Sequence, residues 1–245
     1  MRTLIVSDIH GNLEALEAVL SDAADFEAAI CLGDIVGYGA QPNECIAAVR
    51  ALPNLVCLAG NHDLGATGRI DAALFSSGAG RALAWTRHAL RPDNTDFLNQ
   101  LQPSTDLPAI ALAHASRRDP VWEYLETIQQ AAANFGLFDQ EVCLVGHTHV
   151  PRTFELRGIR AASNRVSERV EYAQLDLFDG TRRIVNPGSV GQPRDGDPRA
   201  AYAVLDTKSG AYTARRVTYD VKGAQEHILA AGLPSSLASR LALGM

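Results

Sequence analysis

Five short apolar runs in this chain end in residues able to bind a metal ion. They are TLIVSDIH, AAICLGD, LVCLAGNHD, AIALAH and EVCLVGHTH, ending at His10, Asp34, Asp63, His114 and His149. Carboxylate, imidazole and amide groups supply the oxygen and nitrogen donors that divalent metals of intermediate softness take. Their recurrence at the ends of strand-like segments across one half of the chain points to a single polynuclear metal site gathered from distant positions. Asp8 and His10 are one residue apart, as are His147 and His149, so one loop at each place can turn two ligands inward. Gly11, Gly33, Gly60 and Gly146 stand beside candidate ligands, where a residue without Cβ lets the backbone bend and approach a crowded centre.

The elements that must hold these residues are legible as periodicities. From Met1 to about Pro151 apolar runs alternate with helical patterns, as in strands joined by crossover helices. Asn12 is placed to cap a first helix with Leu13, Leu16, Val19 and Leu20 at helical spacing. Asn43 to Leu52 forms a second helix. A longer helical insertion lies between Asn61 and Leu107, with Ala72, Phe75, Ala79 and Leu83 on one face and Asp93 to Leu101 as a further segment. Beyond His149 the pattern becomes β-rich: Thr153 to Leu156, Glu171 to Phe178, Arg182 to Val185, Ala201 to Leu205 and Tyr212 to Val217. Asp179-Gly180 reads as a hairpin turn, and the segment from Gly223 to Leu243 as helix interrupted at Pro234. The expected assembly is two packed sheets flanked by helices, with ligands beyond the carboxyl ends of the strands.

The order DxH, GD, GNHD, H, GHTH, with an Asn-Pro-Gly-Ser turn at 186–189 beyond it, resembles the calcineurin-like metallophosphoesterase superfamily. That resemblance implies an α/β fold, a four-layer α/β/β/α sandwich of two mixed sheets flanked by helices, here as a single domain over 1–245. It also implies one metal held by Asp8, His10 and His149, a second held by Asn61, His114 and His147, and Asp34 bridging the two. A hydroxide or water shared by the metals would be the nucleophile, and His62, held by Asp63, would face the substrate. One departure stands out: the fourth motif reads His114-Ala115-Ser116, where the superfamily more commonly has Gly after the His, so the shape of that loop is open. Arg117 and Arg118 follow at once, as candidates to reach a phosphate.

The implied ligand set suits phosphate ester hydrolysis. Two divalent ions bring four positive charges and Asp8 and Asp34 return two negative ones, leaving about two positive charges for a hydroxide and a phosphodiester anion. Asn61 matters here because it is neutral. The expected cofactors are two divalent transition metal ions (Mn, Fe, Co, Ni or Zn), with manganese among them. Magnesium is disfavoured by the number of imidazoles. The expected activity is that of a metal-dependent phosphoric ester hydrolase, leaning to phosphodiesters or small nucleotides. A phosphomonoesterase, protein phosphatase or dinucleotide polyphosphate hydrolase is the alternative, and a non-catalytic scaffold of the same fold is a second.

Composition narrows the rest. With 245 residues, 47% of them hydrophobic, the chain can bury a substantial core, and no apolar stretch approaches the ~20 residues that cross a membrane. A net charge of −6 with scattered Lys and Arg disfavours stable nucleic-acid binding, leaving a small phosphate ester as the expected partner. Cys31, Cys45, Cys57 and Cys143 form no CxxC pair and read as reduced thiols, which fits a cytoplasmic chain. His88 and His227 read as ordinary helix or surface residues, Trp85 and Trp122 as core or rim packing, and Arg194-Asp195-Gly196-Asp197 as a turn.

Overall fold

The computed structural model describes residues 1–157, 165–169 and 174–245. Its first strand, β1 (Arg2–Val6), shows how the layers arise. Side chains alternate along a strand, so Leu4 and Val6 face one way and Ile5 the other. Leu4 and Val6 pack with Leu16 and Val19 of α1 (Leu13–Ala23) and Ile46 and Val49 of α2 (Pro42–Arg50). Ile5 instead joins Leu112, Leu144, Val185 and Tyr212 in an apolar layer between two sheets.

One six-stranded sheet has the order β3-β2-β1-β11-β12-β9, built from β2 (Ala28–Cys31), β3 (Leu55–Cys57), β9 (Gln174–Asp176), β11 (Ala200–Asp206) and β12 (Ala211–Val217) with β1. The other has the order β4-β5-β6-β10-β7-β8, from β4 (Ser104–Asp106), β5 (Ile110–Ala113), β6 (Val142–Leu144), β7 (Arg152–Arg157), β8 (Arg165–Arg169) and β10 (Arg182–Asn186). Both are mixed: β1, β2 and β3 run parallel, as do β5, β6 and β10, while the remaining pairs are antiparallel. The outer face of the second sheet is covered by Ala131 of α6 (Ile128–Asn134) with Phe135 and Phe138. The result is the expected α/β/β/α order of layers. The remaining helices are α3 (Asn61–Ala66), α4 (Ser77–Ala89), α5 (Pro92–Gln100), α7 (Val221–Ala230) and α8 (Ser235–Leu241).

Asn12 caps α1 as expected, its side chain accepting from the Ala15 amide at 3.1 Å. Three expectations need correction. Asp179-Gly180 does not close a hairpin, because β9 pairs with β12 in one sheet and β10 with β6 and β7 in the other. The turn carries the chain between sheets, and buried Arg183 anchors it with two 2.8 Å bonds to the Asp179 carboxylate. The face expected to join Ala72, Phe75, Ala79 and Leu83 is broken: Ala72–Leu74 is a 3-10 turn and α4 begins only at Ser77. Of the strand expected over Glu171–Phe178, Gln174–Asp176 is extended, and 171–173 lie outside the described residues.

Candidate metal centre

The segments after β1, β2, β5 and β6 and the start of α3 meet at one end of the two sheets. Backbone bonds lock them together: the Asp8 amide donates to Gly33 O at 3.0 Å, His10 to Asp34 O at 2.9 Å and Gly146 to His114 O at 2.7 Å. The Asn-Pro-Gly-Ser turn braces them from behind. Asn186 Nδ2 donates to Gly146 O at 2.7 Å and to Thr148 Oγ1 at 3.0 Å, and Ser189 Oγ donates to Asp8 O at 2.8 Å.

Five candidate ligands sit in the left-handed backbone region: Asp8 (φ 54°), His10 (52°), Asp34 (54°), His147 (66°) and His149 (60°). Such conformations cost a non-glycine residue on the order of 1–2 kcal/mol each and gather where a site over-determines the backbone. At Gly60 and Gly146 the need is close approach. A Cβ on Gly60 would lie 2.0 Å from Asp34 Oδ1, and one on Gly146 would lie 2.0 Å from Ser7 Oγ.

All seven candidates are buried. His10, His114 and His149 each engage a backbone carbonyl through Nδ1, to Val36 O (3.1 Å), Leu32 O (2.8 Å) and Gln192 O (2.6 Å). A carbonyl accepts only from N–H, so each Nδ1 carries the proton and each Nε2 presents a lone pair, the orientation seen in metal-ligating histidines. Nε2 of His10 and Nε2 of His149 then face each other at 3.1 Å, two acceptors without a proton between them. Nε2 of His114 lies 3.2 Å from Asn61 Oδ1, and Nε2 of His147 is buried with no hydrogen-bond partner among the described residues. A divalent metal ion satisfies such an array of lone pairs, so the residues fit one.

The carboxylates complete two groups. Asp8 Oδ1 is 3.3 Å from His149 Nε2, and Asp34 Oδ2 is 3.6 Å from His10 Nε2 and 3.5 Å from His114 Nε2. Asp8, His10, Asp34 and His149 can converge on one point, and Asp34, His114 and His147 on another. Burial pushes the basicity of His10, His62 and His147 well below the ordinary imidazole value and that of His114 and His149 below it, keeping the rings neutral. Burial, then the charges of Asp63 and Asp8, raise Asp34 well above the carboxylate range. For Asp8 burial acts the same way, but the hydrogen bond that Ser7 Oγ donates to its Oδ2 opposes it.

Above this cluster is a cleft of ≈240 Å³ lined by Asp34, Asn61, His62, His147 and His149, and walled by Tyr38, Phe75, Trp122, Tyr124 and Arg194 among others. His62 lies in it between Tyr38 (ring centroids 4.4 Å) and Phe75 (5.1 Å). Asp63 does not hold His62. Its Oδ1 accepts from Val36 N at 3.1 Å and its Oδ2 from Gly60 N at 2.9 Å, while His62 Nδ1 has no hydrogen-bond partner among the described residues. Consecutive helical residues point in different directions, which separates the two side chains. Arg117 and Arg118 are committed elsewhere, to Asp106 and Glu123. Sequence reasoning missed Ser7, whose hydroxyl donates to Asp8 Oδ2 at 2.6 Å. It also missed the place of Arg194 and Trp122 in the cleft; the only signal for Arg194 was its nearness to the Asn-Pro-Gly-Ser turn.

A two-sheet sandwich with a buried aspartate and histidine cluster at the ends of its parallel strands defines a metallophosphoesterase fold and site. Residues 1–210 match the calcineurin-like phosphoesterase superfamily domain, and the chain belongs to that family. It is 36% identical to an uncharacterized protein of Methanocaldococcus jannaschii, over 98% of this chain and 97% of that one. Among solved structures it is similar to a metallophosphoesterase from Sphaerobacter thermophilus, with a TM-score of 0.88 and 43% identity, covering 100% of this chain and 99% of that one. A hypothetical protein from Pyrococcus horikoshii OT3 shares the fold, with a TM-score of 0.80 at 21% identity and coverage of 100% and 98%. Family and site make the protein a metal-dependent phosphoric ester hydrolase. Among the described residues no helix is long and apolar enough to cross a membrane.

Proposed function

We propose that the protein is a dinuclear phosphoesterase acting on small phosphodiesters or nucleotides. Asp8, His10 and His149 would hold one divalent transition metal ion (Mn, Fe, Co, Ni or Zn), Asn61, His114 and His147 would hold the other, and Asp34 would serve both. The observation that carries this reading is the position of Asp34 Oδ2, 3.6 Å from Nε2 of His10 and 3.5 Å from Nε2 of His114. Metals bound there would supply Lewis acidity and bring the pKa of a water from ~15.7 toward roughly 7, giving a nucleophile for direct attack on phosphorus.

The chain's own residues do the rest. Asp8 and Asp34 offset part of the metal charge, and neutral Asn61 preserves the remainder for an anionic ester. His62 lines the cleft and is not among the ligands; its ring is neutral in the metal-free protein, and an anionic phosphate bound beside it would raise its basicity and make it a proton donor to the leaving oxygen. Asp63 ties the start of α3 to Val36 and Gly60 and thereby positions both Asn61 and His62. The size of the cleft favours a small ester over a folded macromolecule. A cytoplasmic location belongs to the same reading, supported by four free cysteines.

The test is hydrolysis of bis(p-nitrophenyl) phosphate by protein stripped with chelator and reloaded with each metal. Turnover should return with a transition metal and be absent without one. Metal-replete, folded protein that leaves this diester and nucleotide esters intact would refute the reading.

A further inference from the structure

The cleft above the histidine cluster has two unlike ends. At one end is Arg194, held by its amide to His149 O (3.3 Å) and by Nη2 to Gln192 Oε1 (3.1 Å) and Tyr38 Oη (3.4 Å). All of these partners are neutral. Its Nε is buried without a hydrogen-bond partner, and it has no carboxylate within ion-pair distance among the described residues. A guanidinium so placed is incompletely compensated, since a buried donor left unpaired costs the full desolvation of that group. A planar, permanently charged fork with free donors beside a candidate metal cluster is suited to the oxygens of a phosphoryl group.

The other end is aromatic. Phe75 stands edge-on to His62 and to Trp122, with centroids 5.1 Å apart in each case, and Tyr124 lies 4.2 Å from His147. Leu74 and Ala79 extend this wall. The order across the cleft is therefore Arg194, Tyr38, His62, Phe75, Trp122. His62 stands between the cation and the aromatic wall, so a leaving oxygen protonated by His62 carries its organic group toward Phe75 and Trp122.

We propose that Arg194 binds the phosphoryl group of the substrate and that Phe75, Trp122 and Tyr124 seat a flat ring attached to it, so that the preferred substrates are phosphate esters bearing a nucleobase or a comparable aromatic group. The substrate class rests on the phosphoesterase reading above; the binding geometry can be measured apart from it.

The experiment uses the metal-loaded full chain and measures binding of inorganic phosphate, methyl phosphate and adenosine 5′-monophosphate by calorimetry, beside turnover of bis(p-nitrophenyl) phosphate and metal content. Arg194→Gln is expected to weaken all three anions by about 10- to 100-fold, the loss of a charged bidentate contact, with metal content unchanged. Arg194→Lys keeps the charge without the fork and should fall between, which preserves the test if Arg194→Gln folds poorly. Trp122→Leu should leave inorganic phosphate binding unchanged and weaken the nucleotide by about 5- to 100-fold, the scale of one base stacked on an aromatic side chain.

Wild-type affinity for phosphate in Arg194→Gln with full metal content would overturn the assignment of Arg194. Equal binding of methyl phosphate and the nucleotide by the wild type would overturn the aromatic seat. Binding of these anions without turnover of any ester would refute the phosphoesterase reading and leave the geometry standing. Turnover unaffected by Arg194→Gln would do the reverse.

Discussion

Nε2 of His10 and Nε2 of His149 lie 3.1 Å apart while each ring spends its Nδ1 proton on a backbone carbonyl. Two neutral imidazoles cannot satisfy each other in that arrangement, and a shared cation relieves it. Metal binding should therefore stabilise the native state strongly. At Mn²⁺ about 100-fold above its dissociation constant the gain is ~2.7 kcal/mol, which for a chain of this size raises Tm by roughly 5–10 °C. Scanning fluorimetry with and without chelator measures it, and His149→Ala should abolish most of the shift.

Asp34→Asn should act in opposite directions on the two forms of the protein. Burial and the nearby Asp63 and Asp8 make the Asp34 charge costly in the metal-free state, and a neutral isostere removes that cost. Metal-free Asp34→Asn should therefore melt at or above the temperature of the metal-free wild type, while losing the metal-induced shift. A lower Tm than the metal-free wild type would count against the bridging role.

His62→Ala and Asp34→Ala separate chemistry from metal holding. His62 lines the cleft without joining either ligand group. His62→Ala should keep both ions by elemental analysis and lose about 10²–10⁴-fold in kcat, the usual worth of a general acid. Asp34→Ala should lose metal and turnover together. Retained activity in His62→Ala would exclude it as the proton donor.

Gly60→Ala places a methyl group 2.0 Å from Asp34 Oδ1 and 2.5 Å from its amide nitrogen, so Asp34 must move. The expected outcome is a loss of about 1–3 kcal/mol in stability and at least about tenfold weaker metal binding. Gly78→Ala is the control: it lies inside α4 with nothing within 4 Å of the new methyl. Because Gly78 lies in the first turn of α4, that variant should be at least as stable as the wild type, by up to about 0.5 kcal/mol, and bind metal as the wild type does. Chemical denaturation and metal titration read both effects.

The sheet-crossing turn makes a pH prediction remote from the metal centre. Hydrogen bonds from Arg183 hold the Asp179 carboxyl below its ordinary range. A depressed carboxyl contributes stability that is complete above the unfolded value near ~3.9 and is lost as pH falls through the lower folded value. Because the Asp179 side chain is 40% exposed, we expect only about 1 kcal/mol from the pair. The deficit of Asp179→Asn against the wild type should be constant above pH ~5 and shrink toward zero in stronger acid. A deficit that instead grew on acidification would contradict the sign.

The strands that end in chemistry were legible because their signals are local. The apolar run TLIV and the helical spacing after Asn12 need only near neighbours, and both appear as expected, as β1 and α1. Ser7 was illegible as a functional residue because a hydroxyl beside an aspartate carries no signal until the strand end turns its Oγ toward Asp8. The Asp179-Gly180 dipeptide correctly announces a turn, but a turn signal does not contain the partner of either flanking strand. Side-chain pairing over long separations decides that, and Arg183, buried against Asp179 and Glu155, records the outcome.

Sequence alone determined the donor types, their order, and the glycines that make room for them. Those are properties of single residues and short spacings, and they were enough to reach the family and the chemistry of the site. Tertiary structure alone decided that Asp34 stands between two groups of histidines, that Asp63 serves the backbone and not His62, and that Arg194 and Trp122 line the same cleft. The first and last of these depend on where two sheets, packed through their apolar faces, bring loops that are tens of residues apart in the chain, and no local pattern encodes a distance of that kind.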